Sequence, residues 1–386
     1  MMAQVNASTV RIGIIGGGLM GRELMALVGR WPILVSHPVR PIVVAVADPS
    51  PSARQWFEDA GVVKVTDDYR NLLTDEEIDV LYIAVPHHLH ERIYLDAIDA
   101  GKDFLGEKPF GIDLASAHRI ADAIDSSTVF ARVSSEMPFF PGAQRAFEYV
   151  QSGSLGEVVE VNAGFLHSSD IDRNKVINWK RQKQFCGEIG VMGDLGMHVA
   201  HLPLRLGWNP TSVYALLDNL VTVRKDSEGG EIPCDTFDNS ILLMRVPTGR
   251  SDGRVFPMRW ETKRIAPGQS NSWYFEVLGM DGGVRFSTRA PAVYQTYSLV
   301  NGEQQWSEIQ PGYRSVWPTF TGAIFEFGFP DALLQMWAAF LAERDGALGT
   351  RFGTATAQEA VDAHKVFSAA LASNTSNNAM PVDIIG

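Results

Sequence analysis

The segment VRIGIIGGGLMGRELMALVGR joins a short apolar strand, a glycine-rich turn and an amphipathic helix in direct succession, an order that few folds accommodate. Residues 10–15 are apolar and rich in β-branched side chains, which favours a buried strand. Gly16, Gly18 and Gly21 then have the spacing G-x-G-x-x-G. The first glycine permits a tight turn, the second lets the backbone approach a pyrophosphate, and the third lets helix and strand pack closely. The segment therefore predicts a dinucleotide-binding turn.

A carboxylate at the end of the next strand supports this prediction. PIVVAVADPS places Asp48 directly after an apolar run, although further from Gly16 than the usual ~20 residues. The stretch WPILVSHPVRP has the character of an insertion that explains the gap. A carboxylate there can accept hydrogen bonds from ribose hydroxyls and repel a 2′-phosphate, so we expect NAD rather than NADP. Two alternatives remain: Arg54 could accommodate NADP, and Asp48 could simply cap a helix that starts near Ser50 or Pro51.

Strand-like and helix-like segments continue to alternate as far as VFARVS, which predicts a parallel sheet with helices on both faces over residues 1–135. Ligands of such α/β domains bind beyond the carboxyl ends of the strands. AVPHHLH and GEKPFG both follow predicted strands. The residues expected to contact the cofactor are Gly16, Gly18, Leu19, Met20, Gly21, Asp48, Pro86, His87, His90, Glu107 and Lys108.

The order GGGLMG, then AVP followed by a histidine, then AGKDFLGEKPFG resembles the Gfo/Idh/MocA oxidoreductases. The resemblance implies NAD(P)-dependent chemistry on sugars, inositols and their derivatives. It also implies that Lys108 lies beside the nicotinamide and the reacting carbon, where an ammonium can stabilise charge that develops on the substrate oxygen. Pro109 disfavours a helical conformation at Lys108 and stiffens the turn. The alternative is that Glu107 and Lys108 form a surface pair in a solvated loop.

The segment GEIGVMGDLGMHVAHLPLRLG predicts a helix from about Asp194. Its apolar residues recur with helical spacing, and its polar residues form a neighbouring stripe of Asp194, His198, His201 and Arg205. Asp194 and His198 are therefore expected one turn apart, which suits proton transfer. By the same resemblance they correspond to a second family motif and would join Lys108 in catalysis. The alternatives are a polar stripe that only packs against the first domain, and a metal site; because the spacing matches no known cage, we expect no metal.

Two further stretches are candidates for substrate contacts. SSEMPFFPG departs from an Asn-x-Arg-Phe-x-Pro pattern that is frequent in the family, and INWKRQKQF places a tryptophan beside basic residues. An aromatic face beside hydrogen-bond donors suits a sugar ring, although an apolar anchor with a solvated basic flank is an equal alternative. His201 stands where the family often has an aspartate. The expected substrate-binding residues are Glu136, Trp179, Lys180, Arg181 and His201.

Residues 136–386 are expected to form a second, α+β domain. Its segments include many alternating strands, which predict a large, mostly antiparallel open sheet, and two closing helices, the last of which could pack back on the first domain. One face of an open sheet has to pack against another part of the chain or against another subunit. The resemblance implies a homodimer or homotetramer formed through this sheet.

Composition argues against several classes of main partner. With 33 Lys and Arg against 45 Asp and Glu, the net charge is −12, which argues against nucleic acid and an anionic membrane surface. The two cysteines have no CxxC spacing, so neither a disulfide scaffold nor a thiolate metal site is expected. No apolar stretch approaches the roughly 18 residues of a membrane helix, and MMAQVNASTV lacks the regions of a signal peptide. We therefore expect a cytoplasmic protein.

The predicted activity is hydride transfer between NAD and a secondary alcohol of a cyclic sugar, glycoside or inositol. Two alternatives are kept. The first is a glycosidase that retains NAD and works by oxidation, elimination and re-reduction. The second is a non-catalytic dinucleotide-binding sensor, a function that would not require a lysine at position 108.

Overall fold

The computed structural model describes residues 7–312, 314–321 and 325–383. Within them the chain forms two compact units. The first contains the chain as far as Gly111, with Ala115–Phe139 and Arg314–Ala357. The second contains Ile112–Leu114, the stretch from Phe140 to residue 312, and the chain from Gln358 to residue 383. Each unit thus combines segments that are separated along the chain. The division into domains 1–135 and 136–386 expected from the sequence stays a prediction.

Strands alternate with helices in the first unit and dominate the second. The strands are β1 (Ser8–Ile15), β2 (Val39–Ala47), β3 (Lys64–Thr66), β4 (Val80–Ile83), β5 (Asp103–Gly106), β6 (Ala131–Val133), β7 (Val158–His167), β8 (Ser212–Asp218), β9 (Val223–Lys225), β10 (Glu231–Pro233), β11 (Asn239–Pro247), β12 (Val255–Lys263), β13 (Asn271–Gly279), β14 (Gly283–Ser287), β15 (Tyr294–Val300), β16 (Glu303–Ile309) and β17 (Met380–Pro381). The α-helices are α1 (Leu19–Arg30), α2 (Pro51–Asp59), α3 (Arg70–Leu73), α4 (His90–Asp99), α5 (Leu114–Asp125), α6 (Pro141–Gln151), α7 (Lys183–Cys186), α8 (Gly190–Arg205), α9 (Phe329–Arg344) and α10 (Ala357–Ser376). Short 3₁₀-helices cover Trp31–Ile33, His87–Leu89, Met137–Phe139 and Trp179–Arg181.

The first unit is built on a parallel sheet with the strand order β3–β2–β1–β4–β5–β6. Each neighbouring pair is parallel. Strand β4 is buried at all four positions, as expected of a parallel strand with both faces covered. Helix α2 begins where Ser50 accepts a hydrogen bond from the N–H of Ala53 and Pro51 occupies the first turn, where no N–H is needed. The Rossmann-type sheet predicted from the sequence is confirmed.

The loops that carry the predicted cofactor residues share one edge of this sheet. The strand order reverses between β1 and β4, because β2 lies on one side of β1 and β4 on the other. Loops that follow parallel strands leave from the same edge, so the glycine-rich turn, Asp48, Pro86 and the Glu107–Pro109 turn all lie at the carboxyl ends. A reversal of strand order at this edge is where open α/β sheets bind ligands.

The second unit contains a sheet in the order β16–β15–β14–β13–β7–β12–β11–β8–β17, and its strands β9 and β10 form a separate hairpin. Within the described residues only the β7–β12 pair of this sheet is parallel. In β11 the buried residues Ser240, Leu242, Met244 and Val246 alternate with more exposed ones. The mostly antiparallel sheet predicted for this half is confirmed.

Helix α8 differs from its prediction in two ways. It begins at Gly190, four residues before Asp194. Its residues from Gly190 to Leu204 are all buried, so the apolar and polar stripes read from the sequence do not separate a covered face from an exposed one. Glycine permits this close packing: a Cβ at Gly196 would lie 2.4 Å from the ring of Phe367 in α10. The polar residues of α8 are therefore interior groups that need partners.

In the described parts of the chain, the helices are either too short or too polar to cross a bilayer.

Candidate active site

The glycine-rich turn after β1 is shaped by close backbone contacts. Gly16 has a φ of +104°, and a Cβ atom there would lie 2.4 Å from the carbonyl oxygen of the residue that follows β4. A Cβ at Gly21 would lie 2.3 Å from the carbonyl oxygen of Gly16. Gly18 precedes α1, and apart from its own residue and its two chain neighbours no described atom lies within 4 Å of the position of its Cβ. Leu19 is 76% exposed and Met20 is half-buried, so the start of the helix is open to an anion such as a pyrophosphate.

Asp48 is bound to the glycine-rich turn. The N–H of Gly17 donates to Oδ2 at 2.7 Å, and the N–H of Ser50 donates to Oδ1 at 2.8 Å. The guanidinium of Arg54 donates to the main-chain carbonyl oxygen of Asp48 at 2.7 Å. The carboxylate is therefore fixed beside the turn with acceptor capacity left on both oxygens. These residues fit a dinucleotide, whose ribose hydroxyls would find an acceptor next to its pyrophosphate site.

The turn that contains Lys108 is held through Glu107, the residue that precedes the lysine. Tyr82 donates to Oε1 of Glu107 at 2.7 Å, and Tyr94 donates to the main-chain oxygen of Glu107 at 2.5 Å. Burial, and secondly the charge of Glu107, raises the pKa of Tyr82 well above its usual value, which keeps this hydroxyl a donor. The Lys108–Pro109 peptide bond is cis. Two buried tyrosines thus hold Glu107, one through its side chain and one through its backbone, directly before the lysine.

His90 connects the loops that follow β4 and β5. Its Nδ1 lies 2.7 Å from the carbonyl oxygen of Pro109, and its Nε2 lies 2.8 Å from that of Val85. Burial lowers the pKa of His90, although the two carbonyl contacts act in the opposite direction. The preceding residues Pro86 and His87 form the start of a 3₁₀-helix at the same edge, and the His87 ring lies 5.5 Å from the His90 ring. Among the candidates for cofactor contact in this loop, His90 is fully buried, with its ring nitrogens at two backbone carbonyl oxygens.

Glu136, the glutamate that departs from the family pattern, is 5% exposed and follows β6. Burial raises the pKa of its carboxyl to about 7, and the neighbouring Glu107 adds to this effect while Lys108 opposes it. Near neutral pH this carboxyl therefore changes its protonation state within the electrostatic field of the Glu107–Lys108 turn.

In the second unit, Asp194 is held between two cations. Its Oδ1 accepts from the ammonium of Lys180 at 2.8 Å. Its Oδ2 accepts from Nε and a terminal nitrogen of Arg264 at 3.3 and 3.1 Å. Lys180 also lies 5.6 Å from the centre of the Trp179 ring. The structure thus brings together Asp194, Lys180 and Trp179, three of the residues named from the sequence.

His198 and His201 lie on α8 in different surroundings. The ring of His198 is 3% exposed and packs edge-on against Phe165, with 5.3 Å between ring centres. His201 is fully buried, and its Nε2 lies 3.2 Å from a terminal nitrogen of Arg205. Arg205 in turn pairs with Glu359 of α10 at 2.5 and 2.9 Å. His201 therefore belongs to a group that ties α8 to α10, and we leave it out of the substrate contacts proposed below.

Arg181 is also interior. Its side chain is completely buried and forms an ion pair with Asp238, which is likewise buried. It donates further to the carbonyl oxygen of Val221 at 3.1 Å. A guanidinium with these partners stabilises the packing of the segment, so we do not retain Arg181 as a substrate contact.

Three residues of this arrangement were not recognised in the sequence: Tyr82, Tyr94 and Arg264. Tyr82 lies in a predicted buried strand, and a buried tyrosine hydroxyl usually has a partner, so a partner for this hydroxyl could have been expected. Tyr94 lies in a predicted helix, and its sequence does not indicate that it meets Glu107. Arg264 follows β12 directly and is 3% exposed at its side chain. Nothing in its local sequence indicates that it meets Asp194.

Comparison with known proteins identifies the family. The model for the oxidoreductase family with an NAD-binding Rossmann fold, Gfo/Idh/MocA, matches residues 10–135, and the model for a Gfo/Idh/MocA C-terminal domain matches residues 143–285. Levoglucosan dehydrogenase of Pseudarthrobacter phenanthrenivorans is 28% identical over 294 residues, which cover 72% of this chain and 73% of that enzyme. The NADP-dependent D-xylose 1-dehydrogenase of Hypocrea jecorina is 27% identical over 46% of this chain and 47% of its own length.

A solved structure of levoglucosan dehydrogenase in complex with NADH has the same fold, with a TM-score of 0.87 and 22% identity over 98% of this chain and 100% of that one. The two family models lie one after the other and together span most of the chain. The glycine-rich turn and α1 fall within the first matched region, and strands β7 to β13 of the second unit fall within the second. The chain therefore belongs to the Gfo/Idh/MocA family of oxidoreductases.

Proposed function

We propose that this protein is an NAD(P)-dependent dehydrogenase that oxidises a secondary alcohol of a cyclic sugar, glycoside or other cyclic polyol, and that it prefers NAD. The observation that carries the proposal is the position of Lys108. It follows β5 at the sheet edge that also holds the glycine-rich turn and Asp48, on a turn fixed by Tyr82 and Tyr94. An ammonium presented in this way is suited to a substrate oxygen rather than to solvent.

The substrate class is supported by the enzymes that the chain resembles. Levoglucosan dehydrogenase and D-xylose 1-dehydrogenase are named for cyclic sugars, and the first of them matches over nearly three quarters of its length. We infer a pyranose or a glycoside as the preferred substrate. Trp179, half-buried beside Lys180, offers an apolar face of the kind that sugar rings contact.

We assign the following roles in the reaction to residues of this chain. The nicotinamide, when bound, accepts the hydride from the substrate carbon. Lys108 donates a hydrogen bond to the substrate oxygen and stabilises its negative charge as the alcohol becomes a carbonyl. His198 is the candidate acceptor for the hydroxyl proton, because an imidazole changes charge near neutral pH. Each proton-transfer group of this kind contributes about 10²–10⁴ in rate.

The preference for NAD rests on Asp48. Its carboxylate is fixed by two main-chain N–H groups beside the phosphate-binding turn, where a 2′-phosphate would meet like charge. Arg54, the residue that could favour NADP, donates to the carbonyl oxygens of Asp48 and Pro49 at 2.7 and 3.0 Å. These contacts direct at least one of its nitrogens to the backbone.

Two further properties are proposed. We place the protein in the cytoplasm, which is supported by Cys186 and Cys234, both buried thiols without a disulfide. We also propose a homodimer or homotetramer formed through the sheet of the second unit, for which the exposed leucines on its outer face are the support.

The test is the appearance of NADH when the protein and NAD are mixed with levoglucosan, D-xylose, inositols and alkyl glycosides. Turnover of Lys108→Ala should be at least a hundredfold lower than that of the wild type, because the substitution removes the ammonium charge. NAD should still bind, because the glycine-rich turn is unchanged. Lys64→Ala is the control, since Lys64 is a surface lysine that pairs with Asp75 and Glu77.

Near-wild-type turnover in Lys108→Ala would remove this lysine from the chemistry. Release of sugar from a glycoside without net NADH would instead identify the redox-neutral glycosidase. NAD binding without any turnover of the panel would favour the sensor.

A further inference from the structure

The backbone of Lys180 makes several hydrogen bonds that a lysine on the protein surface does not need. Its carbonyl oxygen accepts from Arg264 at 2.8 Å, from the Thr236 hydroxyl at 3.1 Å and from the Cys186 thiol at 3.2 Å. Its N–H donates to the side-chain oxygen of Asn178 at 3.0 Å. Two local groups and two from distant parts of the chain thus contact the backbone of a single residue.

The side chain of Lys180 has partners as well, but it remains partly exposed. The ammonium donates to Asp194 at 2.8 Å and lies 5.6 Å from the centre of the Trp179 ring. The side chain is 37% exposed, whereas those of Asp194 and Arg264 are 7% and 3% exposed. Of these three charged side chains, that of Lys180 is therefore the one that a ligand can approach most readily.

Asp194, in contrast to Lys180, is almost fully buried and is paired on both carboxylate oxygens. Each of its two oxygens has its own cationic donor, Lys180 on one and Arg264 on the other. A carboxylate in this state serves as a counter-ion, and it is poorly suited to accept a proton from a substrate hydroxyl.

From these contacts we infer that Lys180 binds a ring hydroxyl of the substrate, that the Trp179 indole packs against the apolar face of the same ring, and that Asp194 is a positioning residue that acts through Lys180. The inference deepens the proposed function and rests on it. It assigns affinity and orientation to Lys180 and Asp194, and it leaves proton transfer to other groups.

The first experiment compares Lys180→Met with Lys183→Met in the oxidation of levoglucosan and D-xylose by NAD. Lys183 is the matched control, because it lies three residues away, is 42% exposed and pairs with Glu188 at 3.0 Å. Lys180→Met should raise KM about tenfold or more, the loss expected of one charge-assisted hydrogen bond, with kcat changed less than about threefold. Lys183→Met should change neither. An unchanged KM in Lys180→Met would overturn the inference.

The second experiment tests the role of Asp194 with Asp194→Asn and the double variant Asp194→Asn/Lys180→Met. If Asp194 acts through Lys180, the substitution raises KM, and adding it to Lys180→Met has little further effect on KM. The pH profile of kcat should keep the shape of the wild type. If Asp194 is itself a proton acceptor, Asp194→Asn instead lowers kcat at least a hundredfold and changes that profile, which contradicts the inference.

Different results would overturn the proposed function and the inference about Lys180. A wild-type protein that oxidises no cyclic alcohol with either NAD or NADP overturns the proposed function and this inference together. A wild-type protein that is active, with a Lys180→Met variant of unchanged KM, overturns the inference alone.

Discussion

The Nδ1 atom of His90 lies 2.7 Å from the carbonyl oxygen of Pro109, the residue that directly follows Lys108. The other ring nitrogen lies 2.8 Å from the carbonyl oxygen of Val85. One imidazole therefore links the loops after two neighbouring strands, and it does so next to the lysine that we assign to the substrate oxygen. In sequence this histidine was a candidate for cofactor contact, whereas its contacts make it a positioning residue for the turn.

Replacing His90 by Asn should lower kcat while leaving cofactor affinity nearly unchanged. The shorter side chain cannot reach both carbonyl groups, so the Lys108 turn loses one of its supports. We expect kcat to fall roughly tenfold, because a small displacement of a catalytic group has a large effect on rate. Steady-state kinetics and an NAD titration measure the two quantities. His118→Asn, at an exposed position of α5, is the control. A proportional loss of NAD affinity in His90→Asn would instead support direct cofactor contact.

Glu136 gives the folding free energy a specific dependence on pH. The folded protein holds this proton up to a pKa of about 7, against 4.5 for the free side chain. The folded state therefore binds more protons than the unfolded state between these values, so stability falls as pH rises from about 4.5 to 7. Glu136→Gln replaces the carboxyl by an amide, which does not titrate. It should be more stable than the wild type at pH 8, by up to about 3 kcal/mol, and the difference should shrink toward pH 5.

Urea unfolding of the wild type and Glu136→Gln at pH 5, 6, 7 and 8 measures this difference. Glu58→Gln, at an exposed position of α2, should follow the wild type at each pH. Parallel stability curves for wild type and Glu136→Gln would show that Glu136 titrates at an ordinary value in the folded protein.

The parts of the site that could be predicted are those determined by local sequence. The glycine-rich turn is one: its strand, its three glycines and its helix are contiguous, and the same contiguity gave the position of Lys108 after β5. The surroundings of Asp194 could not be predicted, because its partners come from 14 and 70 residues away in the chain. The start of α8 was misplaced for a related reason: Gly190, with a φ of +51°, begins a helix that tertiary packing buries on every side.

Asp48 should control the choice between NAD and NADP. Asp48→Asn keeps the size of the side chain and an oxygen acceptor for the turn but removes the negative charge. The ratio of kcat/KM for NAD to that for NADP should fall at least tenfold, mainly through a lower KM for NADP, because the like charge opposing a 2′-phosphate is gone. Kinetics with both cofactors measure the ratio, and Asp59→Asn, at an exposed position of α2, is the control. An unchanged ratio would mean that Asp48 acts only on the turn and on the start of α2.

The outer face of the second unit's sheet should form the contact between subunits. Leu216 of β8 is paired in register with Ile241 of β11, and Leu243 of β11 with Tyr214 of β8. Leu216 and Leu243 remain 51% and 50% exposed. Adjacent apolar side chains on an open sheet lose contact with water when a second copy covers them, which stabilises a dimer.

A charge on this face should therefore separate the subunits. In light scattering at micromolar concentration the wild type should have at least twice the protomer mass, and Leu243→Glu should shift toward the protomer mass because a buried, unpaired carboxylate opposes association. Val63→Glu, at a position that is 92% exposed in the first unit, should leave the mass unchanged. A wild type that is monomeric under these conditions would exclude the proposed assembly, and a Leu243→Glu variant that keeps the wild-type mass would place the contact on another surface.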